Sequence, residues 1–216
     1  FLRPAPGKTQ LARGAGWVST LATGMAEAAR ALGVYVCGGN LTRGPLNIAV
    51  SVHGEVSSQR VLQRCGARPG QRLYVTGALG AAAACVRTKQ MLPADPRALT
   101  ALQMAYYRPQ ARFDVAAAIA TATGGLDISD GLSQDLMHLC AASGCGAVLE
   151  SEAIPVALGA SLEDALYGGD DYELLLASDE PLPGMLYVGT LSAQPGLQLD
   201  GKALVGRGFD HFRGIS

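Results

Sequence analysis

From Trp17 to Leu32 the apolar positions Trp17, Val18, Leu21, Met25, Ala28, Ala29 and Leu32 recur with a helical period, and Gly33 closes the predicted helix as a C-cap. Val34-Tyr35-Val36 then reads as a short strand running into Gly38-Gly39. Leu46, Ile48, Val50 and Val52 alternate with small or polar residues, which predicts a half-buried strand from Leu46 to His53. Ala67-Arg68-Pro69-Gly70 is a turn and the expected boundary between two domains, 1–66 and 67–216. Beyond it Leu73-Tyr74-Val75-Thr76-Gly77 opens a unit of strand, glycine turn and small-residue helix (Ala81 to Thr88). Pro93 to Pro96 interrupt the chain, Tyr107-Arg108-Pro109 stops the next helix, and Asp114 to Ala122 reads as an alanine-rich helix. Strands are expected at Leu126–Ile128, Ala147–Leu149, Tyr172–Ala177 and Met185–Val188, with helices at Gly131–Ser143 and Leu158–Tyr167. Leu132, Leu136, Leu139 and Cys140 form the inner face of the first of these helices. Leu197-Gln198-Leu199 pairs through Asp200-Gly201 with Ala203-Leu204-Val205, a hairpin signal. The interleaving is that of an α+β chain rather than a strict βαβ alternation.

Composition narrows the function classes. Apolar residues make up 49% of the 216 positions and charged residues only 16%, against ~25% in an average soluble domain, so a disordered chain is excluded. So little charge to cover the surface points to an oligomer with an apolar contact. A net charge of −1 leaves no whole-chain footprint for nucleic acid or an anionic membrane. Uncharged stretches such as Leu73 to Val86 fall short of the ~20 residues of a membrane span, and no basic segment followed by an apolar core marks a signal peptide. Five cysteines with no CxxC pair fit a reduced, cytosolic compartment. Phe1-Leu2 leading into Arg3-Pro4-Ala5-Pro6-Gly7 reads as the end of a strand, so an upstream portion is expected.

Candidate chemistry lies in three glycine-flanked polar clusters. Gly38-Gly39-Asn40-Leu41-Thr42-Arg43-Gly44-Pro45 offers close backbone approach, a hydroxyl and a fixed cation, or it is an ordinary strand connection. In Gly124-Gly125-Leu126-Asp127-Ile128-Ser129-Asp130-Gly131 two carboxylates flank a Ser where a strand enters a helix. Asp130 there is either an N-cap or, with Asp127, a hard oxygen ligand suited to Mg²⁺. Asp135, further along the helix, reads as solvated. Tyr167-Gly168-Gly169-Asp170-Asp171-Tyr172-Glu173 places adjacent carboxylates before an apolar strand, where a metal, an Arg or a polar ligand would offset their repulsion; taken alone it reads equally as a turn or a site. By contrast, Gly196 to Ala203 nearly spells a P-loop, but Ala203 replaces the Mg²⁺-binding hydroxyl and the segment alternates as a strand, so it reads as a hairpin. The Asn40-Leu41-Thr42 sequon reads as chance.

In this order the segments resemble thiamine-monophosphate kinase, of the superfamily that also contains aminoimidazole ribonucleotide synthetase and selenophosphate synthetase. The stretches that carry the resemblance are Gly38 to Pro45, Arg64-Cys65-Gly66-Ala67-Arg68-Pro69-Gly70 with Leu73 to Gly77, and Tyr107-Arg108-Pro109 with Arg112. Asp127-Ile128-Ser129-Asp130-Gly131-Leu132, Gly168-Gly169-Asp170-Asp171-Tyr172-Glu173-Leu174 and Gly208-Phe209-Asp210-His211-Phe212 complete the set. The resemblance implies a two-domain PurM-like α+β architecture whose N-terminal domain is truncated. Residues to about 66 would be the back half of that domain, whose sheet forms the barrel of a homodimer, and 67–216 the C-terminal α+β domain.

The resemblance also implies ATP-dependent transfer of a phosphoryl group to the phosphate of thiamine monophosphate. Catalysis would rest on positioning and charge neutralisation, with no general base. Asp127 and Asp130 would hold Mg²⁺, with Asn40 as a further nucleotide and metal contact. Ser129, Gly39 and Arg64 would contact the nucleotide; Asp170 would touch the substrate and Phe209 would stack on a thiamine ring. Two positions depart from the family pattern, which has Asp at Asn40 and usually Glu at Asp170. An amide at position 40 still ligates Mg²⁺ but brings no charge, which leaves a noncatalytic nucleotide-binding homologue, or another ATP-dependent synthetase of the superfamily, as alternatives.

Overall fold

Central strands whose two faces are both apolar need cover on both sides, and the sequence of Leu73-Tyr74-Val75 and Leu174-Leu175-Leu176-Ala177 is of this kind. The computed structural model describes residues 16–42, 44–58, 61–90 and 98–209. Expectations for Phe1 to Gly7, Arg43, Pro93 to Pro96 and Asp210 to Phe212 lie outside them. The chain divides into two compact units, Phe1–Gly54 and Glu55–Ser216.

In the first unit α1 spans Gly16–Ala31. Its end is closed as the sequence predicts: Gly33 takes φ 67°, and Val34 N donates to Ala29 O at 2.9 Å. The strands expected at Val34–Val36 and Leu46–His53 do not form. Neither segment forms a strand ladder with any described residue, and Tyr35 and Val52 are among the most exposed apolar side chains. A strand needs a neighbour for its ladder, and an alternating pattern supplies only the face, not the partner.

In the second unit seven strands form one sheet: β1 (Arg72–Val75), β2 (Gly124–Asp127), β3 (Gly146–Leu149), β4 (Leu174–Ser178), β5 (Leu186–Ser192), β6 (Gly196–Leu199) and β7 (Lys202–Leu204). Their order is β2-β4-β1-β5-β3-β6-β7, antiparallel except for the parallel β3–β6 pair. The β6–β7 hairpin turns on Asp200 (φ 51°) and Gly201 (φ 76°), as the Asp-Gly signal predicts. The unit begins ahead of the turn at 67–70, because Gly125 N donates to Gln63 O and Leu62 packs against the sheet.

The remaining helices are α2 (Ala81–Arg87), α3 (Ala101–Tyr107), α4 (Ala116–Ile119), α5 (Leu132–Ser143) and α6 (Leu162–Tyr167). Leu132, Leu136, Leu139 and Cys140 of α5 are buried in the main core with Leu73, Val75, Leu175 and Ala177. The alternate residues Tyr74 and Leu176 turn to the opposite face, against Val115, Ala118 and Leu182. Two predicted helices are shorter than expected. Asp114–Ala122 becomes a 3₁₀ turn and α4, and the chain ahead of α6 takes a turn until Ser161 caps the helix with a capping box to Asp164. The C-terminal ends of β1 and β2 and the start of β4 meet at one end of the sheet, where Thr76 N donates to Leu174 O and Asp127 faces Leu174.

Candidate functional site

The loop that leaves β2 is shaped by backbone geometry. Gly131 adopts φ 122°, and a Cβ there would lie 2.9 Å from the Tyr167 carbonyl carbon, so only glycine turns the chain into α5 at this point. Asp130 is not the helix cap: Gly131 holds that position and no side chain caps it. The backbone N–H groups of Ser129, Asp130 and Gly131 instead donate to Asp135 Oδ2, at 2.9, 2.9 and 3.2 Å. The expectation of a solvated Asp135 is therefore overturned. Its side chain is buried beneath the loop because three peptide dipoles replace the water it gives up. Burial pushes its carboxyl above the ordinary range, while the same N–H groups pull it back.

The second segment folds onto the first. Asp170 N donates to Ser129 O at 2.9 Å and Tyr172 N to Ile128 O at 2.8 Å, while Ile128 N donates to Glu173 O at 2.7 Å. These bonds hold two non-glycine residues at positive φ, Asp170 at 68° and Tyr172 at 53°. Such a conformation is rare for a bulky aromatic and persists only when its surroundings fix it. The third segment is a strap: Phe209 N donates to Asp130 O at 2.9 Å, and Ser133 Oγ donates to Arg207 O at 2.5 Å. Arg207 in turn stacks on the Tyr167 ring, 4.1 Å from its centroid. Phe209 thus sits beside Gly169 and above the Asp130 loop, with an exposed side chain.

Asp127, Ser129, Asp130, Asp170 and Phe209 are therefore brought together by the end of β2, the corner before β4 and the strap. The electrostatics report the convergence. Burial, the hydrogen bond from Tyr172 Oη to Asp170 (2.9 Å) and the charges of Asp170, Asp127 and Asp130 push the Tyr172 phenol up to about 12. Among the described residues no Lys or Arg pairs with Asp127, Asp130 or Asp170. An accessible set of hard oxygen donors with no protein counter-charge fits a divalent cation such as Mg²⁺. Asp130, Asp135 and His138 also bring one donor atom each within 4.8 Å of one another, although Asp135 Oδ2 already serves the three N–H groups. Arg64 is not brought to this cluster. Its carbonyl accepts from Ser143 Oγ at 3.5 Å, at the opposite end of α5, about 18 Å along the helix from the loop. Gly39 and Asn40 lie in the first unit, exposed and outside any helix or strand.

A polar layer supports the corner from beneath. Arg112 Nη1 donates to Glu173 Oε2 at 2.6 Å and to Thr76 O at 2.8 Å, and Thr76 Oγ1 donates to Glu173 while accepting from Leu174 N at 2.7 Å. Next to it lies a cavity of about 230 Å³, lined by Ala78, Met104, Arg108, Arg112, Asp171 and Glu173. Both oxygens of Asp171 accept from Gly80 N, at 2.9 and 3.0 Å. Burial, together with the charges of Glu173, Asp170 and Asp164, still pushes the Asp171 carboxyl up to about 7.

Residues 68–185 match the family model described as AIR synthase related protein, C-terminal domain. The chain belongs to the AIR synthase related family. Relatives of the chain include thiamine-monophosphate kinases. That of Salmonella typhimurium is 37% identical over 166 residues, covering 72% of this chain and 51% of its own. That of Halobacterium salinarum is 31% identical over 220 residues, covering 90% of this chain and 71% of its own. AaThiL complexed with AMPPCP and TMP matches this family member with a TM-score of 0.62 and 33% identity, over 70% of this chain and 54% of that one. The chain spans about half the length of curated relatives such as the Salmonella kinase.

Three residues at this site escape sequence reasoning. Asp135 carries no motif of its own; its place in the first turn of α5, within reach of the loop's N–H groups, was the available signal. Asp171 is visible only as half of an Asp-Asp pair, and nothing in the pair says which member turns inward to Gly80. Tyr172 gave no sign that it would sit at positive φ.

Proposed function

We propose that the protein carrying this chain transfers the γ-phosphoryl group of ATP to thiamine monophosphate, forming thiamine diphosphate. The observation that carries the proposal is the convergence of Asp127, Ser129 and Asp130 with Asp170 and Phe209 at one end of the sheet, in a chain whose relatives include thiamine-monophosphate kinases. Asp127 and Asp130 would hold Mg²⁺, which when bound would neutralise the phosphate oxygens and align them for in-line transfer. Ser129 contacts the nucleotide, Asp170 the substrate, and the exposed Phe209 ring offers an apolar face to a thiamine ring. Gly39 and Asn40 of the first unit would be further nucleotide contacts, Asn40 offering Mg²⁺ a neutral oxygen, whereas Arg64, at the far end of α5, is left out of the reading. The acceptor phosphate is already an anion at neutral pH, so the chain's task is to hold two polyanions in line and keep their charges apart.

The exposed apolar positions Val34, Tyr35, Ile48, Val50 and Val52 support a homodimer formed through the first unit. No helix among the described residues is long and apolar enough to cross a membrane. We assign the protein to the cytoplasm on its five free cysteines, which suit a reducing compartment. The test uses the full-length protein with ATP, Mg²⁺ and thiamine monophosphate, following thiamine diphosphate. The expected result is turnover that falls by ~10²-fold or more in Asp130→Ala, the scale of losing a group that stabilises developing charge. A folded full-length protein that forms no thiamine diphosphate would leave a noncatalytic nucleotide-binding homologue as the better reading. Turnover of a different phosphate acceptor would point to another synthetase of the superfamily.

A further inference from the structure

The three peptide groups 128–129, 129–130 and 130–131 are used twice. On one side their N–H groups converge on a single oxygen, Asp135 Oδ2, at 2.9, 2.9 and 3.2 Å. On the other side their carbonyls, those of Ile128, Ser129 and Asp130, accept in turn from the N–H groups of Tyr172, Asp170 and Phe209 at 2.8, 2.9 and 2.9 Å. The arrangement closes on itself, because Asp135 N donates back to Gly131 O at 3.0 Å. An ordinary helix cap satisfies one or two N–H groups of its own helix; here a carboxylate in the first turn satisfies three successive peptides of the preceding loop.

We infer that Asp135 is the positioning residue that registers the cation side of the site, Asp127 and Asp130, against the substrate side, Asp170 and Phe209. The inference rests on the functional reading above for what the two sides bind, but not for the coupling itself. A carboxylate that takes three N–H groups fixes the rotation of each peptide plane. It thereby fixes the direction of the three carbonyls from which the corner and the strap hang. Hydrogen bonds to a charged acceptor are shorter and stronger than neutral ones, and a peptide polarised at its N–H accepts better at its carbonyl. The negative charge of Asp135 is thus transmitted through the backbone, while its side chain stays buried and has no route to a substrate. The buried Ser133 side chain reinforces the strap: its Oγ donates to Arg207 O at 2.5 Å and accepts from Arg207 N at 3.2 Å.

The test is Asp135→Asn in the full-length protein, which keeps the shape and one acceptor oxygen but removes the charge. Amide hydrogen exchange is followed at Ser129, Asp130, Gly131, Asp170, Tyr172 and Phe209. All six amides are expected to lose protection together, while those of Leu175 and Val188 in the sheet keep theirs. In turnover the apparent Mg²⁺ constant and the KM for thiamine monophosphate are expected to rise together by ~10- to 100-fold, the range for residues that orient ligands from behind. A residue that only supported the fold would lower the melting temperature and the active fraction and leave both constants unchanged. Unchanged constants with unchanged exchange at Asp170, Tyr172 and Phe209 overturn the inference. Should the variant not fold, the wild type decides: the six amides are expected to share one opening free energy, and independent protection factors across the set refute the coupling. The exchange measurement needs neither ATP nor thiamine monophosphate, so it stands whether or not the functional reading does.

Discussion

Removing the Arg112 guanidinium tests how the corner before β4 is held. Arg112→Met keeps most of the aliphatic stem and deletes the bonds to Glu173 Oε2 (2.6 Å) and Thr76 O (2.8 Å), together with the bidentate contact to Asp114 at 3.1 and 2.9 Å. The Asp114 arm counts for little, because that carboxylate is 62% exposed and screened by water. The Glu173 arm differs: both side chains are only 19% exposed, so the variant strands a carboxylate away from solvent. Breaking a fully buried pair costs ~3–5 kcal/mol, and the residual exposure brings the expected loss to ~2–3 kcal/mol. With a urea slope of ~1–3 kcal/mol per molar, the unfolding midpoint falls by ~1 M. Trp17, the single tryptophan, lies in the other unit, so the assay is tyrosine near-ultraviolet circular dichroism, which reads Tyr74 and Tyr187 in the sheet. Glu173→Gln is milder, at ~1 kcal/mol, because its amide oxygen still accepts from Thr76. The double-mutant cycle isolates the pair and is expected to give a coupling of at least ~1 kcal/mol. A loss in Arg112→Met under ~0.5 kcal/mol, or a coupling of zero, would refute the claim that this pair holds the corner.

Other outcomes follow from the same geometry. Because the Asp171 carboxyl is raised from 3.8 to about 7, the folded chain binds a proton that the unfolded chain releases, and stability declines as pH rises from about 4 to 7. Asp171→Asn, measured in EDTA, is expected to flatten that decline and gain up to ~4 kcal/mol at pH 8; an undiminished slope counts against it. Asp164 has the opposite sign: Arg87, bonded to it at 2.7 to 3.1 Å, holds its carboxyl below the ordinary 3.8. Its contribution is present above that value and is lost as pH falls through the lowered one, so Asp164→Asn removes part of the acid-induced loss of stability below pH 4. At Gly208 a methyl would run into the Asp130 carbonyl oxygen, so Gly208→Ala is expected to displace the strap with Phe209. The KM for thiamine monophosphate should then rise while the far-ultraviolet spectrum stays unchanged, and an unaltered KM would show that Phe209 is not held from this side.

Where local pattern and packing agree, the fold was legible. Leu132, Leu136, Leu139 and Cys140 face the core as their spacing predicts, Asp200-Gly201 makes its turn, and Gly33 and Gly144 close their helices at φ 67° and 69°. Pattern misled where a partner decides the outcome. Leu46 to Val52 alternates as well as any strand in the chain, yet an alternating face does not supply the neighbour that makes a ladder. The helix expected at Asp114–Ala122 broke because alanine propensity fixes no length. Arg112 gives the N-cap position of the 3₁₀ turn no side-chain bond, and no side chain caps α4 at Val115.

The site was legible to the same depth and no further. Composition exposed it: in a chain with 16% charged residues, two acid-bearing segments with their own glycines stand out, and the fold brings those segments to one end of one sheet. Which acid does what was hidden, because that depends on where backbone N–H groups point rather than on spacing. Asp130 and Asp135 are both near the start of α5; one stays half-exposed on the loop, the other is drawn under it by three peptide dipoles. Asp170 and Asp171 divide in the same way. The first lies exposed at a positive-φ corner, and the second is half-buried, with both oxygens on Gly80 N and a carboxyl pushed up to about 7. In each pair the more exposed acid keeps its contact with solvent and the less exposed one is held by backbone N–H groups. The less exposed members, Asp135 and Asp171, are therefore where substitutions should separate the geometry of the site from its charge.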